Sequence, residues 1–311
     1  MPTSQSTRHL LMIRPNSFGY DAQTAVTNVF QHRPQSETAA ARARAQAEFD
    51  AYVGLLRSHG IEAIVFDDPP EPPKPNGVFP NNWLSTTPDG RIFLYPMATP
   101  SRRAERNPAV LAMLGQSFQV SAVRDLSDAE SHDAVLESTG VMVFDHINAV
   151  VYACISARCD EALLVTHANE LGYKPVIFRA YDQGLPVYHT NVMLGIQTTT
   201  AVICSAAISD KAERERVLSS LRATGRTIVD ISAAQMEQYC GNVLEVHNYA
   251  GHRFLLLSAS AHAAFTPSQL EVLGRDKALL PVALPTIEAI GGGSARCMVA
   301  EIFLPPKESA R

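Results

Sequence analysis

The chain contains no long hydrophobic run. Nowhere in its 311 residues do the roughly 18 to 20 consecutive apolar residues of a membrane helix occur, so no membrane span is expected. The N-terminus, MPTSQSTRHLLMIRPN, offers an apolar stretch of only about five residues with no small-residue cleavage pattern behind it, which argues against a signal peptide and for a cytoplasmic protein. Paired cysteines are also missing. The five thiols, Cys154, Cys159, Cys204, Cys240 and Cys297, are odd in number and include no CxxC, so neither a disulfide framework nor a structural zinc site is indicated. Basic charge is scarce and scattered: 26 Lys and Arg stand against 31 Asp and Glu, a net charge of −5. Without a basic stripe there is no electrostatic footprint for nucleic acid, which leaves small molecules as the expected partners. The sequence leaves the oligomeric state open, a homo-oligomer included.

What is present is a globular composition, 46% apolar and 18% charged, arranged in a repeating pattern of elements. The amphipathic stretch AAARARAQAEFDAYVGLLRSHG (39–60) ends in glycine, as helices commonly do, and runs into the β-type stretch IEAIVF. Further helical patterns begin near Ser101 (SRRAERNPAVLAMLG), Asp160 (DEALLVTHANELG), Asp210 (DKAERERVLSSLRATG) and Thr266 (TPSQLEVLG). The last has Thr266 at its N-cap, Pro267 at the first helical position and Gln269 where a capping box requires it. Between the helices lie pairs of short strands: NWLSTTPDGRIFLYP turns at Pro88-Asp89-Gly90, and VMVFDHINAVVYACI turns at 145–148. Each unit reads strand, strand, helix, strand, and the five helices recur at steps of roughly 50 to 65 residues. A doubly wound parallel sheet has no such hairpins, so a closed, radial α/β arrangement is expected, a single domain over 1–311 with a flexible tail at 1–8. The proline-rich DDPPEPPKPNG (67–77) lies inside a unit rather than between units and reads as an extended surface loop.

Four short stretches are candidates for chemistry. GGGSARCM (291–298) sets three glycines before Cys297, and such a run allows close backbone approach to a ligand. The plainer reading is a flexible turn leading into the strand CMVAEIFLP, with Cys297 packed as a small hydrophobe. VYHTNVML places His189 and Asn191 two apart, on one face if the stretch is a strand, and histidine passes protons near neutral pH. With ten histidines in the chain, one alone is a weak signal. AVLESTGVMVF ends an apolar strand in Glu137, a carboxylate able to bind substrate NH groups or hold a histidine charged, or simply a strand-end residue in a turn. GVFPNNWLS sets Asn81 and Asn82 before the single tryptophan, Trp83, where asparagine ordinarily makes turn hydrogen bonds.

Together these stretches resemble the guanidine-modifying enzyme superfamily of arginine deiminases, dimethylarginine hydrolases and amidinotransferases, and within it the citrulline-utilisation hydrolase type. The resemblance runs through nearly the whole chain in order: MIRP (12–15), FPNNW (79–83), LESTG (136–140), SAR (156–158), HTN (189–191), GNVLEV (241–246) and GGGSARCM. It implies a five-bladed, pseudo-symmetric α/β propeller of ββαβ repeats, the pentein fold, with the active site at its centre, in agreement with the repeat count. It implies Cys297 as nucleophile, His189 as general acid and base, and Glu137 as the carboxylate that meets substrate NH groups and supports His189. Arg158, in SAR, resembles the clamp for an amino acid's α-carboxylate, a task suited to a planar, bidentate guanidinium. No metal or organic cofactor is implied, since the thiol supplies covalent catalysis.

Two positions depart from the arginine deiminases, which carry aspartates where this chain has Asn82 and Asn191. Asn191 weighs less, because dimethylarginine hydrolases also lack an aspartate there. A guanidinium offers only donors and suits carboxylates, whereas a neutral ureido group has an acceptor oxygen beside its N–H groups, and an amide can meet both. The expectation is therefore a hydrolase that cleaves the ureido group of citrulline to ornithine, ammonia and carbon dioxide through a thioester on Cys297, its thiolate activated beside a cationic His189. The alternative is a hydrolase or amidinotransferase acting on a guanidino substrate such as arginine. A non-catalytic amino-acid-binding propeller and a Cys/His metal site are weaker readings. The first does not explain why Cys, His and Glu are all retained, and the second lacks ligand spacing.

Overall fold

In the computed structural model, which describes residues 4–34 and 38–307, the turn at Pro88-Asp89-Gly90 folds Leu84–Thr86 back antiparallel onto Arg91–Leu94. The chain then passes through helix Pro108–Ser117 and returns as Ala122–Asp125, parallel to Arg91–Leu94 on its other side. A parallel neighbour cannot be reached by a tight turn, so the helix is the crossover that makes the third strand possible. The same sheet recurs three times. Val143–Asp145, Val150–Cys154 and Lys174–Phe178 enclose helix Glu161–Leu171. Leu194–Ile196, Thr200–Ile203 and Thr227–Asp230 enclose Lys211–Ala223. Leu244–His247, Arg253–Ser258 and Ala278–Val282 enclose Pro267–Leu273.

The remaining three-stranded sheet joins the two ends of the chain. His9–Ile13 pairs parallel with Glu62–Phe66 beyond helix Thr38–Ser58, and its other edge is filled antiparallel by Ala300–Glu301. Residues 300–301 thus take the place that the first hairpin strand holds in the other four blades, and the ring closes. The result is an α/β fold of five three-stranded mixed sheets, the closed radial arrangement expected from the repeats and the pentein-like propeller that the resemblance implies. First strands of neighbouring blades touch, 194–196 against both 143–145 and 244–247, and 300–301 against 84–86, so these strands stand round the axis.

Local chemistry sets the element ends. Asp160, Asp210 and Thr266 each accept from the backbone N–H three residues on, and Gln269 completes the box at Thr266. The helix expected from Ser101 is broken in two, because Pro108 has no N–H to give and its ring blocks a continuous helix. A short turn, Pro100–Arg103, is followed by a restart at Pro108 with Asn107 as N-cap. That helix buries Val110 and Leu114 in a cluster with Trp83, Ile92, Ile302 and Leu304. Each such leucine contributes about 1.5–3 kcal/mol on burial, and packing of this kind rather than propensity stabilises so short a helix.

The flexible tail expected at 1–8 does not describe residues 5–7, which are buried. Gln5 donates to the carbonyls of Phe144 and Ile196 at 2.9 and 3.4 Å, and Thr7 Oγ1 donates to that of Ile302 at 2.9 Å. Innermost strands of a ring leave carbonyls that need donors, and this segment supplies them. Residues 1–3 of the expected tail lie outside the described residues. The loop 67–77 is likewise not all surface, since Asp68, Lys74 and Asn76 are buried. Among the described residues, no helix is long and apolar enough to cross a membrane.

Candidate active site at the propeller axis

Every blade's first strand is entered through a tight turn, and the ring brings the five turns together. They are Pro80–Asn82, Ser138–Val141, Thr190–Met193, the stretch 241–242 and the stretch 294–297. Hydrogen bonds link them in blade order. Thr139 Oγ1 donates to Asn81 O (3.0 Å), Asn191 Nδ2 to Thr139 O (3.3 Å), Asn242 Nδ2 to Asn191 O (3.1 Å), and the backbone N–H of Arg296 to Asn242 Oδ1 (3.1 Å). Short polar side chains at these places satisfy the backbone of the neighbouring turn, which is why Asn, Thr and Ser recur there.

Above the turns lies a cavity lined by Asn82, His189, Cys297, Arg102, Arg158, Tyr188, Phe79 and residues 291–293, together with Thr24, Asn28, Gln31 and Asn76. Gly292 has φ +65°, and a Cβ there would lie 2.6 Å from both Asn28 Nδ2 and Gln31 Cγ. The glycine run is therefore a packed cavity wall: Gln31 Nε2 donates to Gly291 O at 2.8 Å, and Asn28 Nδ2 and the Tyr188 hydroxyl donate to Gly292 O at 3.2 and 2.8 Å.

Cys297 is 3% exposed, in the turn rather than in a strand, which is confined to Ala300–Glu301. Its Sγ has Asn242 Nδ2 at 3.1 Å and Asn191 Nδ2 at 3.6 Å. The other four thiols are buried away from the cavity, and burial raises each of them, Cys154 and Cys240 to about 12. Cys297 is thus the thiol that faces the cavity.

His189 Nε2 meets Glu137 Oε2 at 2.7 Å, and Arg158 Nη1 donates to Glu137 Oε1 at 2.8 Å. Glu137 is fully buried and also accepts from the Ala98 N–H. Burial opposes its ionisation, but Arg158, His189 and then Arg102 outweigh burial and hold the carboxyl well below its usual range. Burial lowers His189, against the pull of Glu137, with Arg158 and Arg102 adding to the lowering. Gly140 makes the crossing possible: a Cβ there would stand 3.0 Å from the His189 ring and 3.2 Å from Asn82 Oδ1. Asn82 Oδ1 is buried and has no hydrogen-bond partner among the described residues.

Several expectations need correction. His189 and Asn191 do not share a strand face, because Thr190–Met193 is a helical turn; His189 faces the cavity while Asn191 lies beneath Cys297. Glu137 does not end a strand but precedes the helical turn Ser138–Val141 as its N-cap residue. Arg158 lines the cavity, yet its donors go to Glu137, to Thr27 Oγ1 (2.8 and 3.1 Å) and to Thr24 O (3.3 Å), so it does not present an open fork to a carboxylate. Arg102 also lines the cavity: Glu105 and Phe79 O hold its Nε and Nη2, and its Nη1 lies 3.9 Å from Glu137 Oε2. Sequence reasoning gave no role to Arg102, to Asn28, Gln31 and Asn76, or to Asn242. The last stood inside the quoted motif GNVLEV, immediately before a blade's first strand, and that position is the signal. Among the described residues, no group of three or more His, Cys, Asp or Glu is arranged to hold a metal ion.

The fold is shared with solved enzymes. The substrate-bound N-terminal domain of ArgZ, an arginine dihydrolase from the ornithine-ammonia cycle in cyanobacteria, superposes with a TM-score of 0.74 at 14% identity, covering 96% of this chain and 98% of that one. Against full-length ArgZ the TM-score is 0.74 at 15% identity, and the match spans 96% of this chain but 41% of that one. DDAH from Pseudomonas aeruginosa, complexed with citrulline, gives a TM-score of 0.67 at 13% identity, covering 96% and 100%. At these identities the likeness is one of fold. No curated protein sequence matches. A family description, N,N dimethylarginine dimethylhydrolase, eukaryotic, matches residues 14–304. The chain belongs to that family, whose members hydrolyse carbon–nitrogen bonds of guanidino compounds.

Proposed function

We propose that this protein hydrolyses a carbon–nitrogen bond at the terminal planar carbon of an arginine-like amino acid, with Cys297 as nucleophile and His189 as proton carrier. The observation that carries the reading is that Cys297 and His189 line one cavity while Glu137 bonds the imidazole and Arg158 bonds Glu137. His189 is not hydrogen-bonded to the sulfur, and burial favours its neutral form. The pre-formed pair of thiolate and cationic His189 expected from the sequence is therefore replaced by sequential transfer. The Cys297 sulfur attacks the planar carbon, and its proton passes to His189. His189 gives that proton to the departing amine, leaving a thioester-like adduct on Cys297. Water then adds to the adduct carbon and yields a proton to His189, and the C–S bond breaks to restore the thiol. Arg102, which lines the cavity, is the group we assign to the substrate's α-carboxylate.

A guanidino substrate, arginine or a methylated arginine, is the reading the family supports, and it would leave a ureido product. The ureido group of citrulline is the second reading, with ornithine, ammonia and carbon dioxide as products. One observation favours it. Among the described residues, the cavity wall includes the amides of Asn28, Gln31, Asn76 and Asn82 but no carboxylate, and Glu137 behind it is already bonded to Arg158 and His189. A cationic guanidinium finds little compensation there, whereas a neutral group with both donors and an acceptor does. Incubation with arginine, dimethylarginine and citrulline side by side, assaying citrulline, methylamines, ornithine and ammonia, separates the readings. Turnover of none of the three would sink both. A reducing compartment such as the cytoplasm would keep Cys297 a free thiol.

A further inference from the structure

We infer that Asn242 is a positioning residue for Cys297, holding its sulfur in place and stabilising the thiolate by N–H donation. The inference rests on the reading of Cys297 as the nucleophile. Asn242 is 1% exposed and is not part of the cavity wall, so it does not act by touching substrate. Its Nδ2 stands 3.1 Å from Sγ, a short distance for a donor to sulfur. The orientation of the amide is dictated by its surroundings. Oδ1 accepts the backbone N–H of Arg296 at 3.1 Å, and Nδ2 also donates to Asn191 O at 3.1 Å. A flipped amide would set an N–H against an N–H and an oxygen against a carbonyl, so the donor must face the sulfur.

Among the described residues, the other amide at the sulfur, Asn191 Nδ2, is 3.6 Å away and is shared with Thr139 O. Among the described residues, the hydrogen-bond partners of Sγ are Asn242 and Asn191, with no Lys, Arg or His. Burial takes away the water that would stabilise a thiolate, and a fixed N–H donor favours the charged form over the thiol. Asn242 is therefore what lowers the cost of the first step, transfer of the thiol proton toward His189. The same side chain ties the turn 294–297 to the preceding blade, so sulfur position and ionisation are set by one residue.

The test needs no substrate. Wild type, Asn242→Ala and Asn242→Asp are alkylated with iodoacetamide across neutral and alkaline pH, and label at Cys297 is followed by peptide mass spectrometry. Asn242→Asp keeps the acceptor for the Arg296 N–H but sets an oxygen against Sγ and Asn191 O, so circular dichroism and a thermal melt first establish that each variant is folded. In Asn242→Ala the midpoint of Cys297 alkylation should rise by about one pH unit, corresponding to about tenfold less thiolate at neutral pH. It should rise further in Asn242→Asp, where an oxygen repels the sulfur's charge. In turnover assays kcat should fall with the thiolate fraction while KM changes less than about twofold. A purely structural role would lower the melting temperature and leave the midpoint in place; a folded variant alkylated at the wild-type midpoint overturns the inference. Cys297→Ala, assayed alongside, tests the nucleophile separately: retained turnover would overturn that reading and leave the midpoint comparison standing.

Discussion

Glu137→Gln removes one charge from the centre of the site while keeping its shape. In the wild type the carboxylate is fully buried and receives Arg158 Nη1 at 2.8 Å, His189 Nε2 at 2.7 Å and the Ala98 N–H at 3.1 Å, with Arg102 Nη1 3.9 Å away. An amide can accept through one oxygen only and must turn its NH₂ toward either a guanidinium or an imidazole. Arg158 is then left without its counter-charge, while Arg102 keeps Glu105. Breaking a buried pair from one side costs about 3–5 kcal/mol, which in a chain of this size lowers the melting temperature by roughly 5–10 °C. Because the folded carboxyl titrates well below its unfolded value, its stabilisation is fully present above the unfolded pKa and is lost as pH falls toward the folded one. The gap in melting temperature between wild type and variant should hold above about pH 5 and shrink below about pH 4. Turnover should fall by about 100-fold or more, since His189 loses the group that orients it. Scanning calorimetry across pH together with kcat measures both. A variant that melts within a degree or so of wild type at neutral pH and keeps its kcat would refute the account of Glu137.

Three further outcomes are expected. Gly292→Ala places a Cβ 2.6 Å from Asn28 and Gln31 at φ +65°, so it should cost about 1–2 kcal/mol by denaturant melts and weaken substrate binding as the cavity wall is displaced. Asn82→Asp puts a carboxylate where an unpartnered amide oxygen now faces the cavity, and the ratio of kcat/KM for arginine over citrulline should rise by about tenfold; an unchanged ratio would remove Asn82 from substrate selection. The His189 imidazole should titrate below its ordinary value in NMR of the free protein. With the folded pKa lowered, its contribution to stability is complete above about pH 6.5 and is lost as pH drops toward the folded value. A resonance titrating at or above 6.5 would contradict the neutral, desolvated ring.

Local patterns were the legible part of this fold. Thr266-Pro267 with Gln269, the turn at 88–90 and the helix starts near Asp160 and Asp210 are each decided within a few residues, and they form as read. The helix at 101–115 was misread because apolar spacing hid the break that Pro108 imposes. Pairing of 300–301 with 9–13 depends on residues almost a chain length apart, so only the repeat count pointed to closure. In the site, Cys297, His189 and Glu137 were legible as motifs, but what each touches was not. Asn191 looked like a neighbour of His189 by alternation and instead lies beneath the sulfur, since a helical turn follows no period of two. Arg158 looked free for a ligand, while its partners Thr24 and Thr27 come from a distant loop with no periodicity to read.

The central claim is that a bond forms between Cys297 and the substrate's planar carbon. Wild type mixed with arginine, dimethylarginine or citrulline, quenched in acid during turnover and digested, should carry an amidino- or carbamoyl-type mass on the peptide holding Cys297 and on none of the other four cysteine peptides. Cys297→Ala should show no adduct and no turnover. Turnover by wild type with an unmodified Cys297 peptide, together with activity retained in Cys297→Ala, would contradict the account.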